Sequence, residues 1–118
     1  MYKEPDNEFY EDVLVTALEG GSNYWIDHMQ IGVSRPRGIP NSIWVSDAVN
    51  AGKTVLIFAD GAGYGLTKAK LVEGLSLWVK NHPKSVLIVD GEIDAGQIDA
   101  GDADAILQYA LFGKLVYG

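Results

Sequence analysis

Residues 54–79, TVLIFADGAGYGLTKAKLVEGLSLWV, decide the fold class. The stretch opens on an apolar run, Thr54 to Ala59, short and rich in β-branched and aromatic residues. A run without polar alternation predicts a central strand buried on both faces. Asp60-Gly61 starts a turn, and glycines at 61, 63 and 65 predict a flexible, irregular connection up to Leu66. The period then becomes helical. Leu71, Leu75, Trp78, Val79 and His82 line one side, Thr67 is placed as the N-cap, and Asn81 to Pro83 stops the helix. Gly74 inside it costs about 1 kcal/mol relative to alanine, unless a neighbour packs closely there.

Downstream, Ser85 to Val89 predicts a second buried strand and Asp90-Gly91 a turn. In the C-terminal part, Ala103, Ile106, Leu107, Ala110 and Leu111 fall on one helical stripe. Asp99 or Asp102 can cap that helix, Asp104 lies in its first turn, and Gly113 suits the left-handed C-cap. Leu115, Val116 and Tyr117 predict a terminus packed back on the domain, as a last strand or a longer helix.

Upstream, residues 1–7 with Pro5 predict a loose arm, and residues 8–118 a single domain. Glu8 to Glu19 predicts a helix with rows Phe9, Val13, Ala17 and Tyr10, Leu14, Leu18. Asp6 or Asn7 caps it and Gly20-Gly21 ends it. Ser22 to Val33 has strand composition, with Tyr24, Ile26, His28 and Gln30 on one face and Trp25, Asp27, Met29 and Ile31 on the other. Neither face is cleanly apolar, which predicts an edge strand or a contact surface. Ser34 to Pro40 is a loop holding Arg35 and Arg37, and residues 43–50 suit a short helix capped by Asn41 or Ser42 and stopped by Gly52, with the start of a strand as the alternative. The order predicts an α+β domain: three or four strands with helices packed on one face.

Composition narrows the function. The 118 residues carry 9 bases against 16 acids, a net charge of −7. That opposes direct nucleic-acid binding, which needs a basic face. No apolar run reaches the ~18 residues of a membrane span, and MYKEPDNEF lacks the basic-then-apolar pattern of a signal peptide, so a cytoplasmic protein is expected. There is no cysteine, hence no disulfide, thiolate nucleophile or zinc ribbon. The acids Asp90, Glu92, Asp94, Asp99, Asp102 and Asp104 do not follow the calcium-loop pattern, so no metal is expected and they are read as a solvated loop feeding a helix.

Catalytic patterns are lacking. Gly61, Gly63 and Gly65 alternate, which is not the spacing of a dinucleotide or phosphate loop. His28 follows Asp27, but neighbours on a strand face opposite ways. Glu8, Glu11 and Asp12 suit the wet face of a helix. No catalytic residue and no cofactor is expected. The contact candidates are Asn23, Tyr24, Trp25, Asp27, His28, Arg35 and Arg37, because aromatic residues with a polar handle anchor interfaces and arginines grip anions. Trp78, on its helix stripe, belongs to the core.

ALEGGSNYW at 17–25, LTKAKLVEGL at 66–75 and DADAILQYALFGKLVYG at 102–118 resemble a family of small uncharacterised proteins encoded by bacteriophages and other mobile elements. The resemblance implies an accessory protein made in the bacterial host cytoplasm. It implies no catalytic residue. The expected function is non-catalytic binding, with inhibition of a host or defence protein as the outcome. The alternative is a small-ligand binder that sequesters a nucleotide through Tyr24, Trp25 and the arginine loop or the 61–67 turn. A homo-oligomer is compatible with either.

Overall fold

The computed structural model describes residues 2–32, 34–81, 88–89, 91–93, 96 and 98–118. Helix α1 (Asn7–Thr16) runs on into a π-helical turn (Ala17–Gly21). Then come β1 (His28–Gln30), α2 (Asn41–Asn50), β2 (Val55–Ala59), β3 (Ala62–Leu66), α3 (Lys68–Asn81), β4 (Ile88–Val89), β5 (Glu92–Ile93) and α4 (Ala100–Phe112). The fold is α+β. Strands β1, β2 and β3 form an antiparallel sheet with β2 in the middle, and β4 and β5 form a separate two-stranded ribbon.

The predicted glycine-rich connection is corrected: residues 62–66 are strand β3, paired with β2 from Ala59 opposite Ala62 to Val55 opposite Leu66. The cause is the two-residue turn. Asp60 and Gly61 have φ of 51° and 80°, the two positive values that a tight hairpin with the native twist requires. Once the hairpin closes, backbone pairing holds the glycines of β3 extended.

A second correction concerns β2. Val55, Ile57 and Ala59 are fully buried, but Leu56 is 39% exposed and Phe58 half-buried. The helices lie on one side of the sheet, so alternation survives inside an all-apolar run. Strand β1 is also shorter than predicted. Ser22 to Trp25 is a turn closed by Trp25 and Ile26 N–H groups on the Ser22 carbonyl.

The core joins Phe9, Tyr10, Val13 and Leu14 of α1 to Val45 and Val49 of α2, and Ile57 and Leu66 of the sheet to Leu71, Leu75 and Trp78 of α3 and Ile106 and Leu107 of α4. Each such side chain contributes about 1.5–3 kcal/mol by leaving water. Helices α3 and α4 approach so closely at Gly74 that a Cβ there would lie 2.6 Å from the Ala110 amide nitrogen. This is the close neighbour that the glycine requires.

The caps of α1, α3 and α4 follow the sequence, whereas α2 begins at Asn41 behind Pro40 with no side-chain cap, so the Asn41 or Ser42 cap expected there is corrected. Asp6 accepts from the Phe9 N–H at 3.0 Å. Asp99 caps α4, exchanging hydrogen bonds with Asp102 in a reciprocal box, and Gly113 ends α4 at φ 73°. Lys70 N–H reaches the Thr67 hydroxyl at 3.2 Å. Lys68 ties three helices: its ammonium donates to the side-chain carbonyls of Asn7 and Asn50 and lies 4.6 Å above the Tyr10 ring.

Residues 2–6, predicted as a loose arm, are attached. Lys3 N–H donates to the Gly91 carbonyl at 2.6 Å, and Glu4 accepts from Tyr10 at 2.7 Å. The predicted helix-end histidine, His82, and residues 85–87 of the predicted strand lie outside the described residues. Among the described residues no helix is long and apolar enough to cross a membrane.

Candidate functional site

Two constellations draw on the predicted contact residues. The first is a buried polar hub on α4. The sequence places Asp104 in a solvated acidic lead-in, but it is only 8% exposed. Its position beside Ala103 and one turn before Gln108 sets it under the turn at 22–25. One carboxylate oxygen accepts from Ser22 Oγ at 2.8 Å and from Trp25 Nε1 at 2.7 Å. The other accepts from the Tyr24 hydroxyl at 2.7 Å and Gln108 Nε2 at 3.1 Å. Four donors compensate a buried charge that has no cationic partner among the described residues. The Tyr24 hydroxyl is held protonated above its usual range, by desolvation first and by the bond to Asp104 second.

Gln108 extends the hub to the C-terminus. Its Oε1 accepts from the N–H groups of Val116 and Tyr117, both at 2.8 Å, and Nε2 also donates to the Tyr117 carbonyl. The Tyr117 ring stacks on Trp25, with centroids 5.1 Å apart and planes 2° from parallel. The chain after Gly113 is therefore an irregular strap and not the last strand or helix extension that the apolar ending predicts. This also corrects the placement of Trp25. It was expected to offer a contact surface, yet it is 6% exposed, because its indole N–H is spent on Asp104 and its face on Tyr117. Tyr24, 59% exposed, still presents its ring, and Asn23 is exposed beside it.

The second constellation is the sheet face turned away from the helices. In the register His28 opposes Phe58 and Gln30 opposes Leu56; Gly63 opposes Phe58 and Gly65 opposes Leu56. The His28 and Phe58 rings stack at 4.3 Å with planes 6° apart. On the β3 side the Phe58 ring lies against bare backbone, since a Cβ on Gly63 would fall 2.9 Å from it. Among the described residues no element covers this face. Asp27 is exposed at the start of β1, where its N–H donates to the Phe58 carbonyl at 2.8 Å.

The arginines join neither constellation. Arg35 donates to the Ile39 carbonyl at 2.7 Å within its own loop, and Arg37 is exposed. Of the predicted residues, Tyr24 and Trp25 converge on Asp104, while Asp27 and His28 converge on Phe58. The sequence reading missed both convergence points. Asp104 was detectable as an acid one turn before a glutamine, next to the apolar stripe of its helix, and Phe58 as the outward partner of Leu56 once alternation is imposed on β2.

An open groove of about 350 Å³ lies between the N-terminal segment and the ribbon, lined by Glu4, Asp6, Glu8, Asp12 and Glu92 together with Lys3 and Phe9. Three of its acids already serve elsewhere: Glu4 accepts from Tyr10, Asp6 caps α1 and Glu92 pairs with Lys3. No cluster of metal-binding side chains occurs among the described residues. No protein-family model, curated protein or solved structure matches the chain.

Proposed function

We propose that the protein works without catalysis, by binding another protein on the open face of its sheet. The observation that carries this is the solvent-facing His28–Phe58 ring stack beside exposed Leu56. An antiparallel sheet can leave one face in water, but that face is then normally polar. Large apolar and aromatic groups held there in fixed geometry are what interface anchors consist of. The resemblance to phage and mobile-element proteins supports a host or defence protein as the partner, inhibition as the result, and the bacterial host cytoplasm as the place.

The nucleotide-sequestering alternative has less to rest on. Trp25, which it needs as a stacking platform, is closed off by Tyr117 and Asp104, and the Arg35 guanidinium is engaged in its own loop.

The test is capture from a bacterial lysate with the immobilised chain and with a Leu56→Ser/Phe58→Ser variant that retains its far-UV circular dichroism. A partner held by the parent and lost by the variant is expected. Equal retention by both, or no retention by either, sinks the proposal.

A further inference from the structure

On that binding reading, the partner has an open strand edge to meet. Strand β1 pairs with β2 along one side, and among the described residues no strand pairs with its other side. It is thus an open edge, which can accept one more strand. The stacked rings run across the sheet towards this edge, Phe58 on β2 and then His28 on β1. Cross-strand neighbours on one face stand about 5 Å apart. The next place in the row belongs to a side chain on an added strand, opposite the exposed outer side of His28.

The charges at that end of the sheet define what fits. Asp27 immediately precedes His28, and Asp60 follows Phe58 by two residues; both are exposed. None of the three strands carries a lysine or arginine, and the whole chain is at −7. A planar cation meets both demands: it continues the stack and suits the negative field of this end of the sheet. Guanidinium is planar and stacks on rings, whereas ammonium is a compact, strongly hydrated point charge.

Size argues the same way. Three strands about 4.8 Å apart, the longer two of five residues and β1 of three, span at most roughly 250 Å² at about 3.3 Å per residue. A stable interface needs about 800 Å² from each partner. Two copies meeting face to face on this sheet would fall short, whereas a segment adding to the edge gains backbone hydrogen bonds besides its side-chain contacts.

We propose that the open edge of β1 takes an extended, arginine-bearing segment of a partner protein, with the guanidinium stacked on His28 and drawn there by the negative charge at that end of the sheet.

The test uses the full ¹⁵N-labelled chain and three capped pentapeptides, Thr-Val-X-Val-Thr, with X as arginine, lysine or citrulline. Citrulline keeps the plane without the charge, and lysine the charge without the plane. The arginine peptide should shift the amide signals of His28, Met29, Gln30 and Phe58, and bind about tenfold more tightly than either control. His28→Ala, an exposed substitution that should leave the fold intact, should bring the arginine peptide down to the lysine value. Equal affinity for all three peptides, shifts confined to other regions, or no shift overturns the proposal. So does a β1 signal that moves with protein concentration alone, with a dimer in light scattering, since a second copy then occupies the edge. If lysate capture through Leu56 and Phe58 persists while the peptides leave β1 unmoved, the arginine assignment falls and the binding reading stands.

Discussion

The indole of Trp25 donates a 2.7 Å hydrogen bond to the carboxylate of Asp104, 79 residues further along the chain. That bond closes the turn at 22–25 onto α4, and Gln108 then holds the strap from the other side. The hub sits between the last turn of the first helical segment and the C-terminus, so it fixes the chain where helical packing alone would leave two irregular stretches loose. A buried charge is an expensive way to do this unless every donor is well placed.

Removing that charge tests the arrangement. Asp104→Ala strands Ser22, Trp25 and Gln108 donors in a buried place, and should cost about 3 kcal/mol in urea unfolding. Asp104→Asn should cost about half as much, because its amide oxygen can still accept while its NH₂ opposes the other donors. The near-ultraviolet circular dichroism of Trp25 should collapse in the alanine variant before the far-ultraviolet signal does. A variant as stable as the parent would mean that the hub contributes nothing net.

Gly74 makes a second prediction. Alanine is the better helix former by about 1 kcal/mol, yet Gly74→Ala should destabilise by about 2 kcal/mol in urea unfolding, because the new methyl meets the backbone of α4. Its nearest neighbours are the Ala110 N at 2.6 Å and Cα at 2.8 Å. Adding Ala110→Gly removes only a Cβ, so the double variant should recover little. Full recovery would place the clash in the side chain.

The caps of α1, α3 and α4, the helices and the apolar stripe of α4 were legible in the sequence because each depends on residues within four positions of one another. The hairpin was misread for a different reason. Alternating glycines carry no side-chain period, so 62–66 has strand geometry without strand composition; only the Asp60-Gly61 pair announced it. Gly61→Ala should therefore cost about 1–2 kcal/mol through its φ of 80°. The hub was illegible because its partners come from positions about 80 apart. A local reading gives Asp104 to the helix dipole and Trp25 to an interface; only tertiary contact brings them together.

Gly63 reports on the open face. A methyl there would fall 2.9 Å from the Phe58 ring edge, which can swing. Gly63→Ala should change stability by less than about 1 kcal/mol but tilt the ring away from His28. The imidazole proton signals of His28, now shielded by the ring beside them, should move downfield. Unchanged histidine shifts would show that the stack does not depend on the bare β3 backbone.

Tyr117 gives a pH dependence with a definite sign. Its hydroxyl donates to Asp60 at 2.6 Å, and the bond to that carboxylate pushes its pKa up to about 12. An unfolded tyrosine titrates near 10. The folded state therefore holds the proton more tightly, so the stabilisation is complete below pH ~10 and is lost as pH rises towards 12. Tyr24, raised by burial and by Asp104, and Tyr10, raised by burial and by Glu4, act in the same direction. The urea midpoint should thus fall through this window, and the fall should be shallower in Tyr117→Phe, which has no proton to lose and no bond to Asp60. At pH 8 the same variant should already start from a lower midpoint than the parent. Parallel curves for the two proteins between pH 10 and 12 would detach the Tyr117–Asp60 bond from the stability of the strap.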